Sequence, residues 1–185
     1  MNITYLILGI VGLIVIVFIA IYNGLIRRRT RIEEAWSDIE VQMKRRYDLI
    51  PNVVETVKGY ATHEQSVLEN VTKARTQAMG AQDPNARLQA ENALSSTLKT
   101  LFAVAENYPD LKANANFLDL QRELADTENK LQSSRRFYNS VVRDYNTMTQ
   151  TFPSALIASM FGFVKKDFFG LEEEAAREPV KVSFK

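Results

Sequence analysis

The sequence predicts an all-α protein: an N-terminal transmembrane helix, then an up-down bundle of three long helices plus a short C-terminal helix. Three observations carry this. Residues 3–26 hold no charged side chain. Beyond them, apolar residues recur at alternating spacings of four and three, the period of helices packed along a narrow seam. The few glycines and prolines fall mostly where those periodic stretches begin or stop.

The first segment, residues 3–26, is dominated by Ile, Val and Leu. As a helix it would span ~36 Å at ~1.5 Å per residue, enough to cross a ~30 Å hydrocarbon layer with some tilt. Tyr5 and Tyr22 lie near its ends, where aromatic rings favour the headgroup level. A cleaved signal peptide would want a basic start and small residues before a cut site, which "MNITY" and "FIAIYNG" do not supply. Arg27, Arg28, Arg29 and Arg31 follow at once. They flank one end only, so the positive-inside bias places the N-terminus outside and the rest of the chain in the cytoplasm. Such a run could also bind anionic headgroups, but a topology and stop-transfer flank is the simpler reading.

From Ile32 the seam runs through Trp36, Ile39, Met43, Arg46, Ile50, Val53, Val57, Tyr60, Glu64, Val67, Val71, Ala74 and Ala78, and Gly80 supplies a terminator. The register never slips, which predicts one long helix with Pro51 as a kink. A proline inside a helix costs ~3 kcal/mol; a true turn there would make residues 28–49 a separate bundle helix. Asp83-Pro84 starts the second helix, an N-cap acceptor before the residue best tolerated at the first helical position. It carries Leu88, Leu94, Leu98, Leu101, Ala105 and Tyr108 inward until "YPD" stops it. The third is predicted to start at Asn116 as cap, with the seam Phe117, Leu120, Leu124, Thr127, Leu131, Ser134, Tyr138, Val141, Tyr145, Met148 and Phe152, closed by Pro153. Short links imply antiparallel neighbours. A short apolar helix in "SALIASMFGF" and a charged tail complete the chain. The resulting division is an anchor over 1–26, a stalk over 27–55, a bundle over 56–164 and a tail over 165–185.

The stretches "AWSDIEVQMKRRYDLIPNVVETVKGYATHEQSVLENVTKAR", "AENYPDLKANANFLDLQRELADTENKLQSSRRFYNSVVRDYN" and "FPSALIASMFGF" resemble the LemA family of bacterial membrane proteins, over roughly residues 30 to 164. The resemblance implies a helical bundle behind a single membrane anchor in the bacterial inner membrane. It brings no catalytic residue to carry over.

Composition excludes several chemistries. With 23 basic and 22 acidic residues and a net charge of +1, no one-sign field steers the chain towards nucleic acid. Cysteine is absent, so disulfides, thiolate zinc sites and iron–sulfur ligation are excluded. The single histidine, His63, precedes Glu64 in a way that resembles a zinc-protease helix, but the second histidine would have to stand at Val67. No catalytic, metal-binding or cofactor-binding residues are predicted, and the chain reads as non-enzymatic.

Two groups interrupt the apolar seam, Arg46 and Glu64. A buried charge needs a partner or water. Some 18 residues apart on one helix, ~27 Å, the two cannot meet each other. The third helix offers a polar file in Glu128, Gln132, Arg135, Asn139, Arg143 and Asn146. These form either a binding groove or, more simply, a network that sets register. Phe152, Phe161, Phe163, Phe168, Phe169 and Phe184 cluster near the C-terminus and are expected to fold back over a bundle end rather than to enter a membrane or hold a partner.

A length mismatch gives the functional expectation. The second helix covers the first only down to about Thr56, which leaves Ile32, Trp36, Ile39, Met43 and Ile50 without cover from their own chain. An apolar stripe of that length does not stay bare. The sequence therefore predicts a membrane-anchored scaffold that contacts lipid through one span and forms a homo-oligomer through its stalk. The alternative is an adaptor or regulator of another membrane protein, such as a membrane protease.

Overall fold

The computed structural model describes residues 3–170, and all regular structure among them is helical. The elements are α1 (Ile3–Lys58), α2 (Gln65–Gly80), α3 (Pro84–Ala105), α4 (Pro109–Lys112), α5 (Ala115–Gln150) and α6 (Ser154–Met160). The predicted C-terminal tail and Phe184 lie largely or wholly outside the described residues.

α1 runs through Pro51 without interruption. Proline has no N–H, so the carbonyl of Tyr47, four residues back, loses its helical donor. Arg75 on α2 replaces it: its Nε donates to that carbonyl at 2.7 Å. The helix survives because another element satisfies the group that proline leaves bare.

A break that the sequence did not predict follows seven residues after Pro51. α1 stops at Lys58, and residues 59–64 form a turn in which Ala61 N–H donates to Val57 O at 2.8 Å and Glu64 N–H to Ala61 O at 3.2 Å. The single helix expected to reach Gly80 is thus two helices. Periodicity hid the turn because Ala61 points inward within it and α2 then buries Val71, Ala74 and Ala78 on the same count. The predicted Tyr60 is 42 % exposed and Val67 only half-buried, Ala61 and Leu68 taking the inward places, so the register slips by one through the turn and is regained at Val71.

Side-chain capping starts α3 and α5. Asp83 Oδ1 accepts Ala86 N–H at 3.0 Å ahead of α3. The cap of α5 is Asn114 rather than Asn116, its Oδ1 accepting Phe117 N–H at 3.0 Å. At the far end of α5 the Phe152–Pro153 peptide is cis, and α6 begins at once.

The described chain forms two compact units, residues 3–38 with 134–168, and residues 39–133 with 169–170. In the first, the opening part of α1 and the closing part of α5 run antiparallel. Gly24 faces Met148 so closely that a Cβ there would come within 2.9 Å of Met148 Cε. Trp36 stands edge-on to Tyr138 with ring centroids 5.5 Å apart. The chain after α6 is stapled to α5: Asn146 Nδ2 donates to Lys166 O at 2.8 Å, Lys166 N–H returns to Asn146 Oδ1 at 2.9 Å, and Tyr138 OH donates to Asp167 O at 3.2 Å. The N-terminal part of α1 is long and apolar enough to cross a membrane, and it is not buried within the chain.

In the second unit, the end of α1, α2, α3 and the start of α5 enclose a core that includes Ile39, Val53, Val57, Val71, Leu94, Leu101 and Leu131. Phe169 is buried there as well.

Two expectations are corrected by burial. Ile32, Ile39, Met43 and Ile50 are only 5 %, 0 %, 3 % and 1 % exposed within the single chain, and Trp36 is half-buried. The cover that the second helix is too short to give comes from α5, whose 36 residues also lie along α1. The aromatic cluster divides, with Phe169 buried as expected and others bare. Phe152 is 83 % exposed and Phe161 49 %, so neither covers a bundle end.

Candidate functional site: a buried arginine and an adjoining groove

Arg46 is the largest fully buried side chain in the described structure. Its position on the α1 seam forces it inward, and the second unit answers with partners from two other helices. Arg46 Nη1 donates to Glu91 Oε2 at 2.9 Å, Nη2 to Ser95 Oγ at 2.7 Å, and Nη2 also meets Glu128 Oε2 at 3.2 Å. Glu91 is fully buried. Its other oxygen accepts from Tyr47 OH. Burial, then the hydrogen bond and negative charge of Glu91, push the Tyr47 phenol well above its ordinary pKa, so it stays a donor.

Tyr47 thereby ties two features together. Its side chain holds Glu91, and its carbonyl takes the Arg75 hydrogen bond that makes Pro51 tolerable. The neighbouring Arg87 Nη1 pairs with Glu40 at 3.6 Å, and Arg87 Nε donates to Ala81 O at 3.1 Å. A cleft of about 370 Å³ opens above Arg46, lined by Ser95, Lys99, Phe102, Gln121 and Glu128. The guanidinium at its floor is already engaged by this chain's own carboxylates and hydroxyl. That arrangement fixes helix register, which is architecture rather than chemistry.

Of the predicted polar file, only Glu128 joins Arg46. Arg135, Asn139 and Arg143 belong to the first unit, and Arg143 is exposed, beside Ser140 Oγ at 3.3 Å and Asp144 at 3.8 Å. Glu64 sits in the turn before α2 and accepts from Tyr108 OH at 3.2 Å. His63 is exposed in the same turn. Sequence reasoning missed Glu91, although the signal was present: it stands three residues from both Leu88 and Leu94, on the inward face of α3.

The turn has a second consequence. Where α1 ends and α2 folds away, a groove of about 680 Å³ remains, lined by Val54, Lys58, Leu68, Glu69, Thr72 and Lys73 among others. Its floor is apolar and its rim carries charges of both signs. In the first unit, Arg27, Arg28 and Arg31 line a smaller cleft of about 280 Å³ with Phe137, Ser140 and Asp144. There Arg31 lies over the Phe137 ring at 5.5 Å, and Arg29 pairs with Glu33 at 3.5 Å.

Comparison with known proteins gives the lineage. The family model of the LemA family matches residues 35–184. The chain is 26 % identical over 164 residues to protein LemA of Metamycoplasma hominis, covering 88 % of this chain and 75 % of that protein. It is 23 % identical over 185 aligned residues to magnetosome protein MamQ of Magnetospirillum gryphiswaldense and to magnetosome protein MamQ 1 of Paramagnetospirillum magneticum, covering 86 % of this chain and 68 % of each. The chain belongs to the LemA family.

Proposed function

We infer that this member of the LemA family is a non-enzymatic, single-span adaptor of the bacterial inner membrane. Residues 3–26 cross the bilayer with the N-terminus outside, the arginines at 27–31 hold the inner flank, and the helical bundle presents a docking groove on the cytoplasmic side. The observation that carries this reading is the groove between the end of α1 and α2. Its volume, about 680 Å³, suits an inserted apolar face, and helix-in-groove recognition uses this combination of apolar floor and charged rim. Lys58 and Lys73 on the rim favour an acidic flank on the partner segment.

The self-associating scaffold takes second place because its premise was the bare stripe, and Ile32, Ile39, Met43 and Ile50 are covered by their own chain. The two readings separate in one experiment. Native protein is purified from membranes in mild detergent, as wild type and as Thr72→Arg, a substitution at an exposed rim position. The adaptor reading expects a stoichiometric second protein that the variant loses while its melting curve is unchanged. A ring or array of one chain, unaffected by Thr72→Arg, would restore the scaffold; a monomer in both would sink both readings.

A further inference from the structure

We propose that α6 and its flanking aromatics form a second membrane contact, lying in the interfacial layer of the same bilayer that α1 crosses. This rests on reading residues 3–26 as a span. The sequence carries the first part of the argument: from Phe152 to Val164 there is no charged side chain, and Lys165 and Lys166 follow at once. The structure carries the second. α6 buries Ser154, Ile157 and Ala158, and so turns Leu156 and Met160, one helical turn apart, outward at 59 % and 71 % exposure. Both sides of this short helix are therefore largely apolar, and only one is covered by protein.

Where that surface sits decides its occupant. The Phe161 ring meets Phe18 at 5.8 Å and Tyr22 at 4.9 Å, and the Phe163 ring meets Tyr22 at 5.9 Å. Phe18 and Tyr22 precede Arg27 by nine and five residues, about 13 and 7 Å along a helix. α6 is thus fastened to the span itself, below the level of the arginines, at the depth where amphipathic helices bury ~5–10 Å into the headgroup and acyl boundary. Gly162 makes the fastening geometrically available. Its φ of 70° is the left-handed cap that favours glycine, and it lets Phe163 N–H close on Ala158 O at 2.9 Å. The chain then turns so that Phe161 and Phe163 both face Tyr22. Exposed Phe152, Leu156, Met160 and Val164 at that depth meet lipid, with the lysines at 165 and 166 at the headgroups.

The absence of cysteine makes the test clean. Leu156→Cys and Met160→Cys, each labelled with an environment-sensitive fluorophore, are placed in the full-length protein in nanodiscs of phosphatidylcholine and phosphatidylglycerol. Ile14→Cys in the span and Asn129→Cys on exposed α5 serve as references. Quenching by shallow doxyl-labelled lipid should be several-fold stronger at 156 and 160 than at 129, and quenching by iodide correspondingly weaker. Iodide reaching 156 and 160 as freely as 129 would overturn the proposal. So would protection from both quenchers, which would mean that a second copy of the protein covers α6. Should Ile14 also escape lipid quenching, the span itself fails and this contact with it; lipid quenching at Ile14 but not at 156 and 160 removes the α6 contact alone.

Discussion

Two apolar stretches of this chain meet opposite fates. The stripe on α1 from Ile32 to Ile50 is regular, narrow and buried by its own chain, whereas the segment from Phe152 to Val164 is irregular, aromatic and largely bare. A sequence reading assigns them the other way round. Regular spacing establishes that a face will be covered; it does not say by what. The length of α5 supplied cover for the stripe, and the attachment of Phe161 to Phe18 and Tyr22 put the aromatic segment beside the apolar start of α1 rather than over a bundle end.

The sharpest way to break this comparison is to put one charge on each surface. Ile39 is fully buried, so Ile39→Asp both loses apolar burial and strands a carboxylate, a combined loss of roughly 4 kcal/mol or more. Met160→Asp, on the exposed side of α6, should change the melting of the detergent-solubilised protein by no more than about 0.5 kcal/mol. Circular dichroism melts of the two variants check both halves. If Ile39→Asp melts like wild type and only its assembly changes, other copies cover the stripe after all.

Arg46→Ala is the next largest effect. It leaves the fully buried Glu91 without its cation, a loss of about 3–5 kcal/mol. Replacing both partners, as Arg46→Met with Glu91→Met, should recover most of that, because an apolar pair of similar volume removes the stranded charge. Such recovery would assign the network to architecture. A double variant as unstable as Arg46→Ala would mean that the arginine holds Ser95 and Glu128 in a way that an apolar pair cannot replace.

These residues also mark how far the sequence could be read. The long apolar start of α1, the α3 and α5 seams, Asp83 as a cap and the inward position of Arg46 follow from local rules of spacing and capping. The turn at 59–64 does not, because it replaces the inward places of Tyr60 and Val67 with their apolar neighbours Ala61 and Leu68 and rejoins the predicted count at Val71. Glu91 was legible in spacing, three residues from both Leu88 and Leu94, yet was missed. Arg135, Asn139 and Arg143 share helical spacing with Glu128, yet spacing along one helix cannot tell which compact unit each residue joins. Pro51 drew attention as a breaker, and what rescues it lies on a different helix, at Arg75. Local signals specify what a group requires, while the partner that meets the requirement is a tertiary fact.

That last relation yields the smallest and most specific prediction. Arg75→Ala removes the donor that reaches the Tyr47 carbonyl at 2.7 Å, and an unsatisfied, largely buried carbonyl costs about 1–3 kcal/mol. Pro51→Ala restores an N–H at residue 51, which can bond that same carbonyl along the helix. In the Pro51→Ala background, Arg75→Ala should therefore cost less than it does in the wild type, with a coupling of about 1–2 kcal/mol in the double-mutant cycle. Denaturant titrations of the four proteins measure it. Additive losses would mean that Arg75 stabilises the unit through its other contacts, and that α1 bears the proline without help from α2. A coupling of the stated sign would instead explain why a helix carrying an interior proline ends seven residues later, at Lys58, rather than at the proline itself: the turn at 59–64 returns the chain so that α2 can bring Arg75 to the one carbonyl that α1 cannot satisfy alone.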